Sequence, residues 1–277
     1  MSPLPPRQTD ILSIARVNGR VDVESLAEKF DVTPQTIRKD LNDLCEIEAL
    51  HRVHGGAVFP SSTSNFAYLS RREIATDAKS KIAEMAASLV PNDSSLILNI
   101  GTTTELVAKA LINHKGLMVV TNNLNVAYIL ADAPDIEVVV TGGVVRKNDL
   151  GIVGAAAVDL INQFKVDIAI MGVSAIDTDG CLLDFDYREV RVAKAILKQS
   201  RKRILVADNM KFERRAPVQI GHLSDIDIFV TDLKPPQDII DVCERSGVQL
   251  EITGVPNDNI IRPPSFEQSS EEAPEEG

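Results

Sequence analysis

From about residue 77 to 253 the chain alternates between two kinds of segment, and this constrains its fold more than any other feature. Short Val- and Ile-rich runs, "SLILNI", "LMVV", "IEVVV", "DIAIMGV", "RILVAD" and "DIFVTD", are separated by amphipathic stretches such as "TELVAKAL", "NVAYILAD", "AAAVDLINQF" and "YREVRVAKAILKQS". A strand that is apolar on both faces must be covered on both sides, and helices with one apolar stripe supply the cover. The pattern predicts an α/β fold with a mostly parallel sheet between two helical layers. No internal repeat is visible.

The first 59 residues follow a different pattern. A helix is expected from near Pro6 to Val17, with Ile11, Leu12, Ile14 and Ala15 inward, followed by a turn at "NGR", 18–20. Asp22 is placed to cap a second helix that turns Val23, Leu26, Ala27 and Phe30 inward. Asp31-Val32-Thr33 leads into a third helix, "PQTIRKDLNDL". Thr33 is its N-cap, Pro34 takes the first helical position, and Val32 with Ile37 forms a hydrophobic staple. At 100° per residue, Ile37, Leu41 and Leu44 share one face, while Gln35, Arg38, Lys39 and Asn42 share the other. Such a polar face is also normal for a solvated helix, but Gln and Arg suit bidentate reading of adenine and guanine edges. Next comes "LHRVHGGAV", in which a strand at 50–53 and a turn at Gly55-Gly56 form a wing. Arg52 and His54 lie near its tip, placed for flanking phosphates. The candidate DNA contacts are therefore Thr33, Gln35, Thr36, Arg38, Lys39, Arg52 and His54.

The net charge runs against that reading. The chain carries a formal net charge of −11 and has a pI near 4.9, whereas DNA is a dense row of negative charge. Part of the excess lies in the last fifteen residues, "PPSFEQSSEEAPEEG", which hold five Glu and no Lys or Arg. Their composition is that of a disordered acidic tail. Residues 1–60 still hold seven Lys/Arg against nine Asp/Glu, so specific hydrogen bonds and dimerisation must supply affinity that bulk charge does not. With no Trp and 4% aromatic residues, a stacking platform for single strands is not expected. Cys45, Cys181 and Cys243 form no CxxC pair, and His51 and His54 lack metal-ligand partners, so neither a metal nor a cofactor is expected. The absence of a signal-peptide core or a membrane-length apolar run points to a cytoplasmic protein with no membrane partner.

In the larger region, "SLILNI" runs into "GTTTE" at 101–105 and then a helix. Backbone N–H groups and hydroxyls at such a junction suit an anion, although a plain capped helix has the same sequence. Other strand ends carry "TNN" at 121–123, "TGG" at 141–143, Asp177, and Asp208 followed by Lys211. Carboxyl ends of strands are where open α/β sheets bind ligands, which favours a phosphorylated small molecule.

These stretches resemble a known family. "LAEKFDVTPQTIRKDLNDL…LHRVHGGA" looks like the winged helix-turn-helix of the DeoR family of bacterial sugar-metabolism regulators. "KSKIAEMAASLV…NIGTTTELVAKAL…VTNNLNVA…TGGVVRKND…GIVG…GVSAID" looks like its sensor domain. The resemblance implies a fold like ribose-5-phosphate isomerase, glucosamine-6-phosphate deaminase and the CoA transferases. "NNLNVA", "INQFKVDIAIMGVSAIDTDGCLLDFDYREVR" and "SSTSN" are similar to the subgroup that responds to glycerol-3-phosphate. By the same resemblance Thr102, Thr103 and Thr104 would grip phosphate, with Gly101, Asn122, Asn123, Gly142, Gly143 and Lys211 nearby, and Glu189 matches a carboxylate used by the isomerases. The isomerase pattern D-G-A-D-E-I-D reads here Met171-Gly172-Val173-Ser174-Ala175-Ile176-Asp177. Two aspartates are lost, which removes the acid/base pair an isomerase needs and points away from an enzyme. Met210 and Glu213 also depart from the family's D-x-S-K-F-x-R stretch, and an inward carboxylate at 213 would disfavour a phosphate.

The expectation is a repressor of carbon metabolism that binds double-stranded operator DNA as a homo-dimer or tetramer. A phosphorylated polyol or sugar, glycerol-3-phosphate by preference, would release it. A regulator of another sugar pathway and a sugar-phosphate isomerase or deaminase are the alternatives. The expected parts are a DNA-binding domain at 1–59, a linker at 60–76, an effector domain at 77–255 and the acidic tail at 256–277. Truncation after Arg262 should leave cooperative unfolding intact and raise non-specific DNA binding at low salt, measured by thermal melts and DNA titration.

Overall fold

The computed structural model describes residues 4–18, 20–47, 49–53, 55–58 and 76–254. His54, the linker at 60–75 and the tail at 256–277 lie outside them.

The N-terminal unit contains α1 (Pro6–Asn18), β1 (Arg20–Asp22), α2 (Val23–Phe30), α3 (Pro34–Glu46), β2 (His51–Val53) and β3 (Gly56–Val58). The expected caps are present: Asp22 accepts from the Ser25 N–H and Thr33 from the Thr36 N–H. Ile11, Leu12, Ala15, Leu26, Ile37, Leu41 and Leu44 share one core with Leu50 and Ala57, while Ile14, Phe30 and Val32 pack on it half-buried. The wing has a third strand that the sequence did not suggest. β1 pairs with β3, which pairs with β2, both antiparallel. "RVD" is too short to show a period of its own; only the partner strand makes it a strand. This packing also explains the second glycine of "HGGA", because a Cβ at Gly56 would collide with the Val21 carbonyl.

The larger unit begins with α4 (Thr76–Ser88). Its first half holds β4 (Ser95–Leu98), α5 (Thr102–Leu111), β5 (Leu117–Thr121), α6 (Leu124–Leu130) and β6 (Ile136–Val140). A hairpin, β7 (Val144–Val145) and β8 (Ile152–Val153), precedes α7 (Ala155–Ile161). The second half holds β9 (Val166–Met171), β10 (Ala175–Ile176), β11 (Cys181–Asp184), α8 (Tyr187–Lys198), β12 (Ser200–Val206), β13 (Val218–His222), β14 (Ile228–Thr231), α9 (Gln237–Ser246) and β15 (Gln249–Ile252). Seven strands form the expected sheet in the order β15-β14-β12-β9-β4-β5-β6, with every neighbouring pair parallel. Two small antiparallel sheets, β10-β11-β13 and β7-β8, were not evident from the sequence.

Alternation along the strands explains burial on both faces. Leu96 and Leu98 pack with Ile82, Ala86, Val107 and Leu111 of α4 and α5. Ile97, between them, packs on the opposite side with Ala157 and Ile161 of α7 and Val192 and Ile196 of α8. A separate cluster under the second half joins Phe229, Leu205 and Met171 to Val190 and to Ile239 and Ile240 of α9. Among the described residues no helix is long and apolar enough to cross a membrane.

Gly56→Ala should cost about 1–3 kcal/mol, the usual range for overpacking. Two-state denaturation of residues 1–60, monitored within the full chain by a probe placed on the wing, would measure it.

Candidate functional site

On α3 the staple residue Ile37, with Leu41 and Leu44, is buried, and Gln35, Arg38, Lys39 and Asn42 face solvent. The Thr33 and Thr36 hydroxyls lie 2.9 Å apart and hydrogen-bond each other, fixing the start of the helix. Thr33, Gln35, Thr36, Arg38, Lys39 and Asn42 line one shallow concavity, which ends at Asp43 and Glu46. The positive side chains thus sit toward the N-terminal half of α3 and the carboxylates toward its C-terminal end. This polarity suits a helix entering the major groove N-terminal end first.

Asp40 is buried, which the sequence reading missed. It accepts from Arg7 Nε at 2.6 Å and Gln8 Nε2 at 3.2 Å, tying α1 to α3. The hydrogen bond to Asp40 holds the Arg7 guanidinium proton more firmly than usual. Arg7 and Asp40 therefore neutralise each other. Arg52 is exposed on the wing and donates to the Gly56 carbonyl at 2.6 Å.

In the larger unit the chain grows outward from β4 to β6 on one side and from β9 to β15 on the other. The connections reverse between β4 and β9, and a crevice is expected there at the carboxyl ends. Gly101 opens α5 at φ 155° and ψ 151°, a region that essentially only glycine occupies. The three threonines that follow are not equivalent. Thr104 is fully buried, with its hydroxyl near the Asn99 carbonyl at 2.7 Å and the Gly101 carbonyl at 2.8 Å. Thr103 is also buried, and Thr102 is half-buried. Thr102 borders a cavity of about 490 Å³ shared with Thr76, Glu105, Lys109, Asn125 and Tyr128.

Asn122 and Asn123 are buried and used internally. Asn122 Nδ2 donates to the Ile152 carbonyl at 3.2 Å, while Asn123 caps α6 and donates to Glu105. Gly142 is open to solvent, and Gly143, at φ 138°, passes close to the Val153 carbonyl. Asp177 lies in the exposed turn between β10 and β11, at the end of a strand of the small antiparallel sheet rather than of the seven-stranded one.

The cations gather after β12. Asp208 is buried, which alone would raise its pKa, but the charges of Lys211, Lys79 and Arg214 outweigh burial and hold it low. Asp232, accepting from the Asn209 N–H at 2.7 Å, is the neighbouring carboxylate. Lys79 was missed, although a signal existed: it stands three and four residues before Ile82 and Ala83, on the buried stripe of α4. Glu213 is exposed rather than inward, so its carboxylate does not fill the crevice.

Glu189 sits in a carboxylate cluster. Arg146 Nη2 lies 2.5 Å from its Oε2, with Asp149 at 2.6 Å and Asp186 at 3.3 Å from the same guanidinium. Burial, and then the neighbouring Asp184, push the Glu189 carboxyl up to about 8, with Arg146 offsetting only part of this. Asp184 itself accepts from the Ser174 hydroxyl at 2.9 Å. Relative to the ordinary value of 4.5, the fold thus favours protonated Glu189. That contribution is fully present below the unfolded value and is lost as pH rises through the folded one. Glu189→Gln should therefore lose less melting temperature than the wild type between about pH 5.5 and about pH 8.5, as thermal melts would show.

Comparison with known proteins agrees with this division. Residues 7–63 match the DeoR-like helix-turn-helix domain and residues 74–233 the DeoR C-terminal sensor domain. The glycerol-3-phosphate regulon repressor of Escherichia coli is 45% identical over 89% of this chain and 98% of its own. That of Haemophilus influenzae is 44% identical over 88% and 95%. A ribose-5-phosphate isomerase solved with phospho-erythronic acid overlaps 50% of this chain and 54% of its own at 17% identity, with a TM-score of 0.38. A likeness that loose carries no functional weight. The close relatives are repressors rather than enzymes, and the chain belongs to the DeoR family, with a DNA-binding helix-turn-helix domain followed by a sensor domain.

Proposed function

We propose that the protein represses genes of carbon metabolism and is released from its operator by a phosphorylated polyol or sugar, glycerol-3-phosphate by preference. The carrying observation for the effector is the group of cations, Lys79, Lys211 and Arg214, gathered around Asp208 at the strand ends. Gly101 and Thr102 begin α5 on the same edge of the sheet, two strands away. A dianionic phosphate suits a group rich in cations, and an exposed Glu213 leaves room for it. Regulon repressors in two bacteria at 44–45% identity support glycerol-3-phosphate over another sugar phosphate. The divisions 1–59, 60–76, 77–255 and 256–277 serve this reading: DNA domain, linker, effector domain and tail.

On the DNA side, Arg38 and Gln35 read base edges, while Lys39 and Arg52 meet phosphates. A dimer or tetramer in the cytoplasm places two α3 helices on half-sites one or more helical turns apart. The effector acts by binding more tightly to a conformation with lower operator affinity. α4 begins directly after the linker and carries Lys79, so it is the element that relays effector charge toward the DNA domain.

Arg38→Ala should lose about 1–3 kcal/mol of operator affinity and relax one base position, measured by titration against single-base operator variants. Lys211→Ala should bind operator as the wild type does, since it lies outside the winged domain. It should need at least about tenfold more glycerol-3-phosphate for release, roughly the value of one lost charge-assisted hydrogen bond. Release of both proteins at the same effector concentration would remove the phosphate assignment.

A further inference from the structure

We propose that the β7–β8 hairpin is a strap across the strand-end crevice and that Arg146 is the catch holding it closed on the N-terminus of α8. The hairpin follows β6, at one edge of the sheet, and α8 follows β11, in the other half of the chain. Arg146 therefore joins the two sides of the crevice through Asp186 and Glu189 while also holding Asp149 within its own turn. The proposal rests on the effector reading above for its purpose, not for its geometry.

Several observations make this segment a strap rather than an ordinary hairpin. Its base is anchored: Ile152 and Val153 are buried, and the Ile152 N–H donates to the Asn122 carbonyl at 2.7 Å. The tip lies over the start of α6, where the Leu124 N–H reaches the Leu150 carbonyl and Asn125 Nδ2 reaches the Asp149 carbonyl. Glycines with positive φ stand at both ends, Gly143 at 138° and Gly154 at 112°. They provide backbone freedom where a hinge needs it. Leu150 is a non-glycine residue at φ 57°, a local strain that the surrounding contacts must hold.

Apolar burial does not close the tip. Val144, Val145 and Leu150 are 64%, 43% and 40% exposed, so little hydrophobic energy opposes its lifting. Hydrogen bonds to the start of α6 and the contacts of Arg146 carry that load, and Arg146 is only 14% exposed where it makes them. Asp186 is available as a charged partner: burial alone would raise it, but hydrogen bonds from Arg188 and Arg146 hold its carboxyl at about 2. Breaking one side of a buried ion pair is strongly destabilising locally, because the remaining charge is left unpaired. A catch of this kind lets the strap open as a unit while the sheet beneath stays folded.

The test compares the full-length wild type with Arg146→Met in two measurements. Hydrogen exchange without any effector should rise at least about tenfold at the amides of 144–150, while those of β4 and β5 keep wild-type protection. Stopped-flow binding of glycerol-3-phosphate should show faster dissociation with association no slower, since a strap slows both passage in and passage out. Should Arg146→Met fail to fold, Asp186→Asn removes one partner's charge, keeps the amide cap of α8 and takes its place in both measurements. Unchanged exchange at 144–150 in a folded variant overturns the catch. So does exchange raised evenly across β4, β5 and the hairpin, because Arg146 would then support the whole domain. A wild type that binds no glycerol-3-phosphate overturns the proposed effector instead, and the exchange result still decides the strap.

Discussion

The parallel pairing of β4 with β9 is the contact on which the rest of the larger domain depends. Leu96, Ile97 and Leu98 lie beside Ile168, Ala169 and Ile170, seventy-two residues further on. Every other strand is added outward from this pair, so the order reverses here and nowhere else in the sheet. A parallel sheet buried on both faces favours near-continuous apolar runs, and these two central runs are unbroken. The polar residues are consequently collected at the strand ends, where the chain leaves the sheet and its backbone groups need partners. The crevice is thus a by-product of how the core is built.

Electrostatics then divide those strand ends into two regions of opposite sign. Lys79, Lys211 and Arg214 converge on Asp208, whereas Asp149, Asp184, Asp186 and Glu189 crowd Arg146. Cations gather in the first region and carboxyl groups in the second. The winged domain manages charge in a similar way on a smaller scale. Arg7 and Asp40 pair between α1 and α3, and α3 keeps Arg38 and Lys39 in its N-terminal half. An acidic chain can therefore read DNA with a local face whose sign differs from the sum.

Much of the fold was legible because it rests on local chemistry. Asp22 and Thr33 cap their helices as a short acceptor before a helical run must. Ile37, Leu41 and Leu44 fall inward because four-residue spacing nearly completes a turn. The strands were visible as Val- and Ile-rich runs, and their parallel arrangement followed from the helices between them. The site was less legible. Thr102, Thr103 and Thr104 look alike in the sequence, yet Thr104 binds carbonyls in the interior, and Asn122 and Asn123 are internal partners. Lys79 was hidden on a helix 22 residues before Gly101, and the stretch "TGGVVRKND" does not show that its Arg146 meets Asp186 and Glu189.

The sequence by itself determined the two-part organisation, the polar outer side of α3, the helix caps, the two-sided burial of the sheet and the membership of a family. All of these depend on spacing within one element or on a run of similar residues, which a linear reading contains. Only the tertiary structure decided the order of the strands, the third strand of the wing, the partners of Asp40 and the sign of charge at each part of the crevice. Those depend on which side chains from distant segments come within a few ångströms of each other. Coulomb and hydrogen-bond energies fall off over that distance, so a residue's role there is set by neighbours that its own sequence context does not name.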